Sequence, residues 1–237
     1  MALAKYDKDK STAQHNKMLE EISKTYSMAQ NMSSMMTAYK EDLLAGAAFK
    51  NKNDKLGQQD MFKAFFSSEL HTAYSFPDTR NTRFQSYCGA AATLLLHLDL
   101  YIVFLEQVRN AKTKPSFTNM EANVFHGLQD LATLTKLAVL VLYAEAVCHP
   151  YVRRVRTPGT NTIDLGPLHL KVVSHCQSII DNLDVLLGLD APSNHEKAIL
   201  DDLPWEHANV VNCIHSLAQS GCFPHLRGAL VASFKGA

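Results

Sequence analysis

L-A-T-L-T-K-L-A-V-L-V-L-Y-A-E-A-V, residues 131–147, is apolar on most sides of a 3.6-residue period. A helix of that kind hides every face, so the segment predicts the central helix of an all-α, multi-helix bundle. Lys136 interrupts it and Glu145 bounds it. On that basis it is too short and too charged to cross a bilayer, and no membrane association is expected.

The flanks support the same fold class. No alternation over five or more residues marks a strand, whereas helical spacing recurs. Between Gly57 and Tyr74, Phe62, Phe65, Phe66 and Leu70 share one helical face. F-P-D-T-R-N-T-R-F-Q-S-Y-C (76–88) breaks at Pro77 and offers Asp78, Thr79 or Asn81 as cap of a new helix. That helix carries Tyr87, Ala91, Leu94, Leu95 and Leu98, and continues or kinks near His97 into residues 100–108. Further helices are expected at 119–128, 168–180, 184–187, 206–218 and 224–234, with Pro150 and Pro158-Gly159 as breakers. Residues 11–40 are polar and methionine-rich, with a thin apolar stripe. The expected organisation is a loosely packed N-terminal helical segment, 1–40, followed by a helical bundle domain, 41–237.

Composition narrows the function classes. The hydrophobic share is 46%, which a folded domain needs. Lys plus Arg and Asp plus Glu are 23 each, so formal net charge is zero. That disfavours a nucleic-acid binder held by bulk charge, leaves room for a local basic patch, and permits self-association into a homo-oligomer. The N-terminus has no apolar core of signal-peptide length. Five scattered cysteines then predict reduced thiols in an intracellular, cytoplasmic or nuclear protein.

Candidate chemistry sits in three places. Arg80 and Arg83, at a predicted helix start, suit a phosphate or carboxylate, or else pair with a neighbouring acid. Tyr151, Arg153, Arg154 and Arg156, in Y-V-R-R-V-R-T-P-G, suit a phosphate backbone with Tyr151 stacking beneath, or else neutralise a helix C-terminus. Cys213-x-His215 and Cys222-x-x-His225 offer four soft ligands for zinc, but residues two apart on a helix face differently. Single histidines such as His97, His126 and His149 read as ordinary core or surface residues. There is no G-x-S-x-G, no phosphate-cradling glycine loop and no H-E-x-x-H, so no catalytic residue and no cofactor is assigned.

Several of these stretches also carry a resemblance. They are residues 44–60, the 76–91 segment, F-T-N-M-E-A-N-V (117–124), residues 137–156, D-L-G-P-L-H (164–169) and F-P-H-L-R-G (223–228). Together they resemble a group of multicopy proteins of mushroom-forming fungi, which in turn look like hAT-like, RNase H-type transposases. The resemblance implies that the chain corresponds to the helical insertion of such an enzyme, a region that contacts DNA and builds the assembly. It also implies that the first two catalytic acids and a Cys-x-x-His element lie upstream of Leu43, and the last acid beyond Ala237. A non-catalytic protein- or DNA-interaction module is therefore expected. Arg80 stands where the resemblance implies a small polar residue.

Overall fold

A computed structural model describes residues 44–50, 58–79, 84–193 and 195–236. The predicted N-terminal segment, 1–40, lies outside them. All regular structure among the described residues is helical, as the periodicity predicts. In chain order the helices are α1 (44–50), α2 (Gln59–Leu70), α3 (Phe84–Leu96), α4 (Leu98–Asn110), α5 (Asn119–Gly127) and α6 (Leu131–Tyr143). A π-helical turn, Ala144–Cys148, joins α6 to α7 (His149–Val155). Then follow a 3₁₀ turn (Thr162–Leu165), α8 (Gly166–Asp181), α9 (Asp184–Leu187), a second 3₁₀ turn (His195–Lys197), α10 (Ala208–Gln219) and α11 (Leu226–Gly236).

α6 is the central helix. Leu134, Leu137, Ala138, Leu140, Val141 and Leu142 are all buried, and α3 and α11 pack along it. Each fully buried Leu or Val contributes about 1.5–3 kcal/mol of transfer free energy. Asp130 starts the helix by accepting from the Thr133 amide at 2.8 Å.

Two sequence expectations change at this centre. Pro150 does not break the helix: Leu131–Val155 runs 25 residues without interruption. The His149 amide donates five residues back, to the Ala144 carbonyl, so the turn before the proline is widened. Pro150 has no N–H for the carbonyl four residues behind it, that of Ala146. The Leu200 amide donates there instead, at 3.0 Å. The second change follows from the first, because the helix is now long and apolar enough to cross a membrane by length and composition. About 61% of its most apolar window is buried inside the bundle, which is the packing of a core helix.

A second core layer is aromatic. Phe49 of α1, Phe62 and Phe66 of α2, Phe76, and Tyr101 and Phe104 of α4 are each no more than 2% exposed. The Phe62 ring lies 4.3 Å from Phe66, 5.1 Å from Phe49 and 5.5 Å from Phe104, centroid to centroid. The buried Tyr101 hydroxyl meets that of Tyr74 at 3.2 Å. α2 ends four residues earlier than the predicted Tyr74, where His71 turns to φ 53°. The α3–α4 junction at His97 is a kink: the two helices meet at 84°. That bend carries α4 off the central layer and onto the aromatic one.

Candidate functional site: a buried glutamate–histidine cluster beside the arginine segment

The C-terminal half of the long helix holds the predicted arginine segment. Arg153 grips Asp201 with two parallel bonds, Nε to Oδ2 and Nη2 to Oδ1, both 3.1 Å, and its Nη1 lies 3.5 Å from Glu206 Oε2. This fork-on-carboxylate geometry is the stronger kind of ion pair, and it engages the guanidinium. The Tyr151 hydroxyl shares a hydrogen bond with His169 Nε2 at 3.1 Å, and the two rings stack. Tyr151 is therefore tied to α8. Arg154 is exposed and lines a groove of about 690 Å³ with Lys171, Asp164 and Asp201, where both signs of charge face each other. Arg156 lies exposed at the C-cap of α7. Arg80 and Arg83 lie outside the described residues. Just before them, Thr79 is buried against α1 and Asp78 pairs with Lys50 at 3.6 Å.

The structure does not gather Cys213, His215, Cys222 and His225 into one ligand set. Cys213 Sγ donates to the Leu95 carbonyl at 3.4 Å, and His215 Nε2 meets the Leu186 carbonyl at 2.9 Å. Burial holds His215 below the ordinary histidine range, and its Nε2 donates to that carbonyl. Cys222 lies 3.3 Å from Ser220 Oγ, and His225 is exposed. None of the five cysteines forms a disulfide.

A different cluster forms, and it sits at the π turn. Among the described residues, Glu145, His149 and His207 are the one group of three or more His, Cys, Asp or Glu with metal-binding spacing, their donor atoms all within 4.8 Å of one another. Glu145 is 2% exposed and His149 is 7% exposed. Glu145 Oε1 accepts from His207 Nδ1 at 2.7 Å, and Oε2 accepts from the His207 amide at 3.1 Å. Burial pushes the Glu145 carboxyl up, but the two His207 hydrogen bonds and the nearby imidazoles outweigh it and leave the group below its usual range. The hydrogen bond to Glu145 correspondingly raises His207, against a smaller opposing effect of burial. Both shifts favour the charged forms, as an ion pair does.

His149 is less well served. Its Nε2 is 3.9 Å from Glu145 Oε1, beyond hydrogen-bond reach. Its Nδ1 approaches Glu206 Oε1 to 3.2 Å, yet makes no hydrogen bond, because the oxygen lies off the direction in which that nitrogen bonds. The predicted ordinary-core character of His149 holds for its burial and misses its neighbours. Glu145 and His149 are four apart on one helix, a spacing visible in the sequence. His207 comes from the loop before α10, and no local pattern points to it.

No family model, no curated protein and no solved structure matches the chain.

Proposed function

We propose that this chain is a non-catalytic helical interaction module that docks a protein partner, a second copy of itself, through the outer face of α8. One observation carries the proposal: Ile163, Leu170 and Val173 are 87%, 74% and 68% exposed on and beside that helix. Isolated exposed apolar residues are ordinary, but a neighbouring set on one element marks an interaction surface. The occupant follows from charge. The chain is formally neutral, so copies do not repel. An antiparallel second copy lays the same apolar residues against each other in an isologous contact.

The resemblance to the helical insertion of RNase H-type transposases points to assembly as well. Its other implication, DNA contact, has less support, since Arg153 is engaged with Asp201 and Glu206 and the Arg154 groove is lined by acids as well as bases.

Light scattering across a concentration series tests the proposal. The wild type is expected to dimerise, and Leu170→Glu/Val173→Glu is expected to stay monomeric with an unchanged helical circular dichroism spectrum. A wild type that is monomeric at every concentration refutes it. Anisotropy with labelled duplex over a salt series tests the DNA alternative. Salt-sensitive binding that falls in Arg154→Ala would replace the proposed partner with nucleic acid.

A further inference from the structure

We infer that Glu145, His149 and His207 bind a divalent transition metal of the zinc class, which staples the π turn of the central helix to the loop leading into α10. Two imidazoles and one carboxylate are the donor set that zinc accepts, whereas calcium and magnesium require oxygen ligands. The three donors already lie within 4.8 Å of one another. A tetrahedral ion with arms near 2.0–2.1 Å spaces its ligands about 3.3 Å apart. Glu145 Oε1 sits 3.9 Å from His149 Nε2 and 2.7 Å from His207 Nδ1, on either side of that spacing. The ion takes the place of the proton that His207 Nδ1 donates to Glu145, which is released to solvent, and the carboxylate and the two imidazoles rotate to that spacing.

The second observation is the unmatched nitrogen. His149 is more than nine-tenths buried, and its Nδ1 has no hydrogen bond. Such an orphan calls for a reason. Metal-ligating histidines donate their second N–H to a carboxylate, which fixes the ring and strengthens the ligand. Glu206 Oε1 waits 3.2 Å from Nδ1. A small turn of the His149 ring brings Nε2 onto an ion shared with Glu145 and His207, and aligns Nδ1–H with Glu206. Glu206 is in turn held by Arg153, which Asp201 grips. Arg153, Glu206 and Asp201 are thus positioning residues for His149.

The backbone fits the same purpose. The π turn holds Glu145 and ends at His149, and such widened turns are frequent at functional sites. The Leu200 bond to the carbonyl left open by Pro150 anchors the segment that delivers Glu206 and His207.

Zinc titration of the purified, metal-stripped full chain by calorimetry, with cobalt(II) absorption as the readout of geometry, tests this inference. The expected result is one zinc per chain, a tetrahedral cobalt spectrum without thiolate charge-transfer bands, and a zinc-dependent rise in melting temperature. His207→Gln keeps an N–H donor for buried Glu145 while removing the imidazole, and circular dichroism of the metal-free variant checks that the fold is retained. It is expected to weaken zinc binding at least about tenfold and to abolish the melting response. Glu206→Gln weakens binding about tenfold through His149, while Cys213→Ser and Cys222→Ser leave it unchanged. The inference is overturned by absence of saturable zinc binding, by equal affinity in His207→Gln, or by thiolate bands in the cobalt spectrum.

Discussion

Replacing Phe62 by alanine is expected to remove the centre of the aromatic layer and a large part of the stability of the domain. The ring is fully buried and has Phe66, Phe49, Phe104 and Tyr101 within 4.3–5.8 Å of its centroid. Losing its transfer free energy and opening a cavity among rigid rings costs about 3–5 kcal/mol. Edge and stacked ring pairs each contribute about 0.5–1.5 kcal/mol beyond area, which places Phe62 in the upper part of that range. A domain has only about 5–15 kcal/mol to lose. At roughly 2–4 °C per kcal/mol for this size, the melting temperature should fall by roughly 8–20 °C. Urea unfolding followed by far-ultraviolet circular dichroism measures the change, with Leu189→Ala, at an exposed site, expected to stay within about 0.5 kcal/mol. The stacked partner adds a sharper test. Phe49→Ala and Phe62→Ala together should depart from additivity by about 0.5–3 kcal/mol, because the rings touch. A loss below about 1 kcal/mol, or strict additivity, would refute the placement of α1 against α2.

Further outcomes follow from local geometry. Thr118 and Glu121 form a reciprocal capping box at the start of α5, so Thr118→Ala should cost about 1 kcal/mol by chemical denaturation. Asp130→Ala should cost about 0.5–2 kcal/mol at neutral pH by removing the cap of α6. Hydrogen bonds from Thr133 depress the Asp130 carboxyl, so its contribution is present above the pH at which the unfolded carboxyl titrates and is lost as pH falls through the lower folded value. Melting curves of mutant and wild type should therefore converge below about pH 4. A Cβ at Gly46 would lie within contact-violating range of the Oγ1 of buried Thr79. Gly46→Ala should then lose up to about 2 kcal/mol in the wild type, and gain stability in a Thr79→Gly background, where no side-chain atom of residue 79 remains and helix propensity decides. An unchanged sign in the two backgrounds would refute that contact.

The elements that hydrophobic spacing announces are those whose partners lie within the same turn or two. α2 was legible from Phe62, Phe65, Phe66 and Leu70, and α6 from an apolar run that leaves no polar face. Even the α5 cap is a local signal, Thr-x-x-Glu, open to anyone looking for it. His97 shows the limit: spacing allows a straight or a bent helix there, and the 84° turn is chosen by packing on the aromatic layer. Pro150 shows it again. Proline in a helix is read as a break because a carbonyl loses its donor, and the Leu200 amide that replaces the donor lies far along the chain.

Amino-acid order alone therefore determined that this protein is a helical bundle, and which faces of its long helices are buried. Burial pattern is a property of residues three and four apart, and needs no knowledge of what they touch. Tertiary structure alone decided that Arg153 meets Asp201 and Glu206, and that Glu145 and His149 meet His207. Those neighbours come from a loop that reaches the π turn only after the chain has folded back. Ion pairs and ligand sets depend on distances of a few ångströms between remote segments, and no spacing along a chain encodes them.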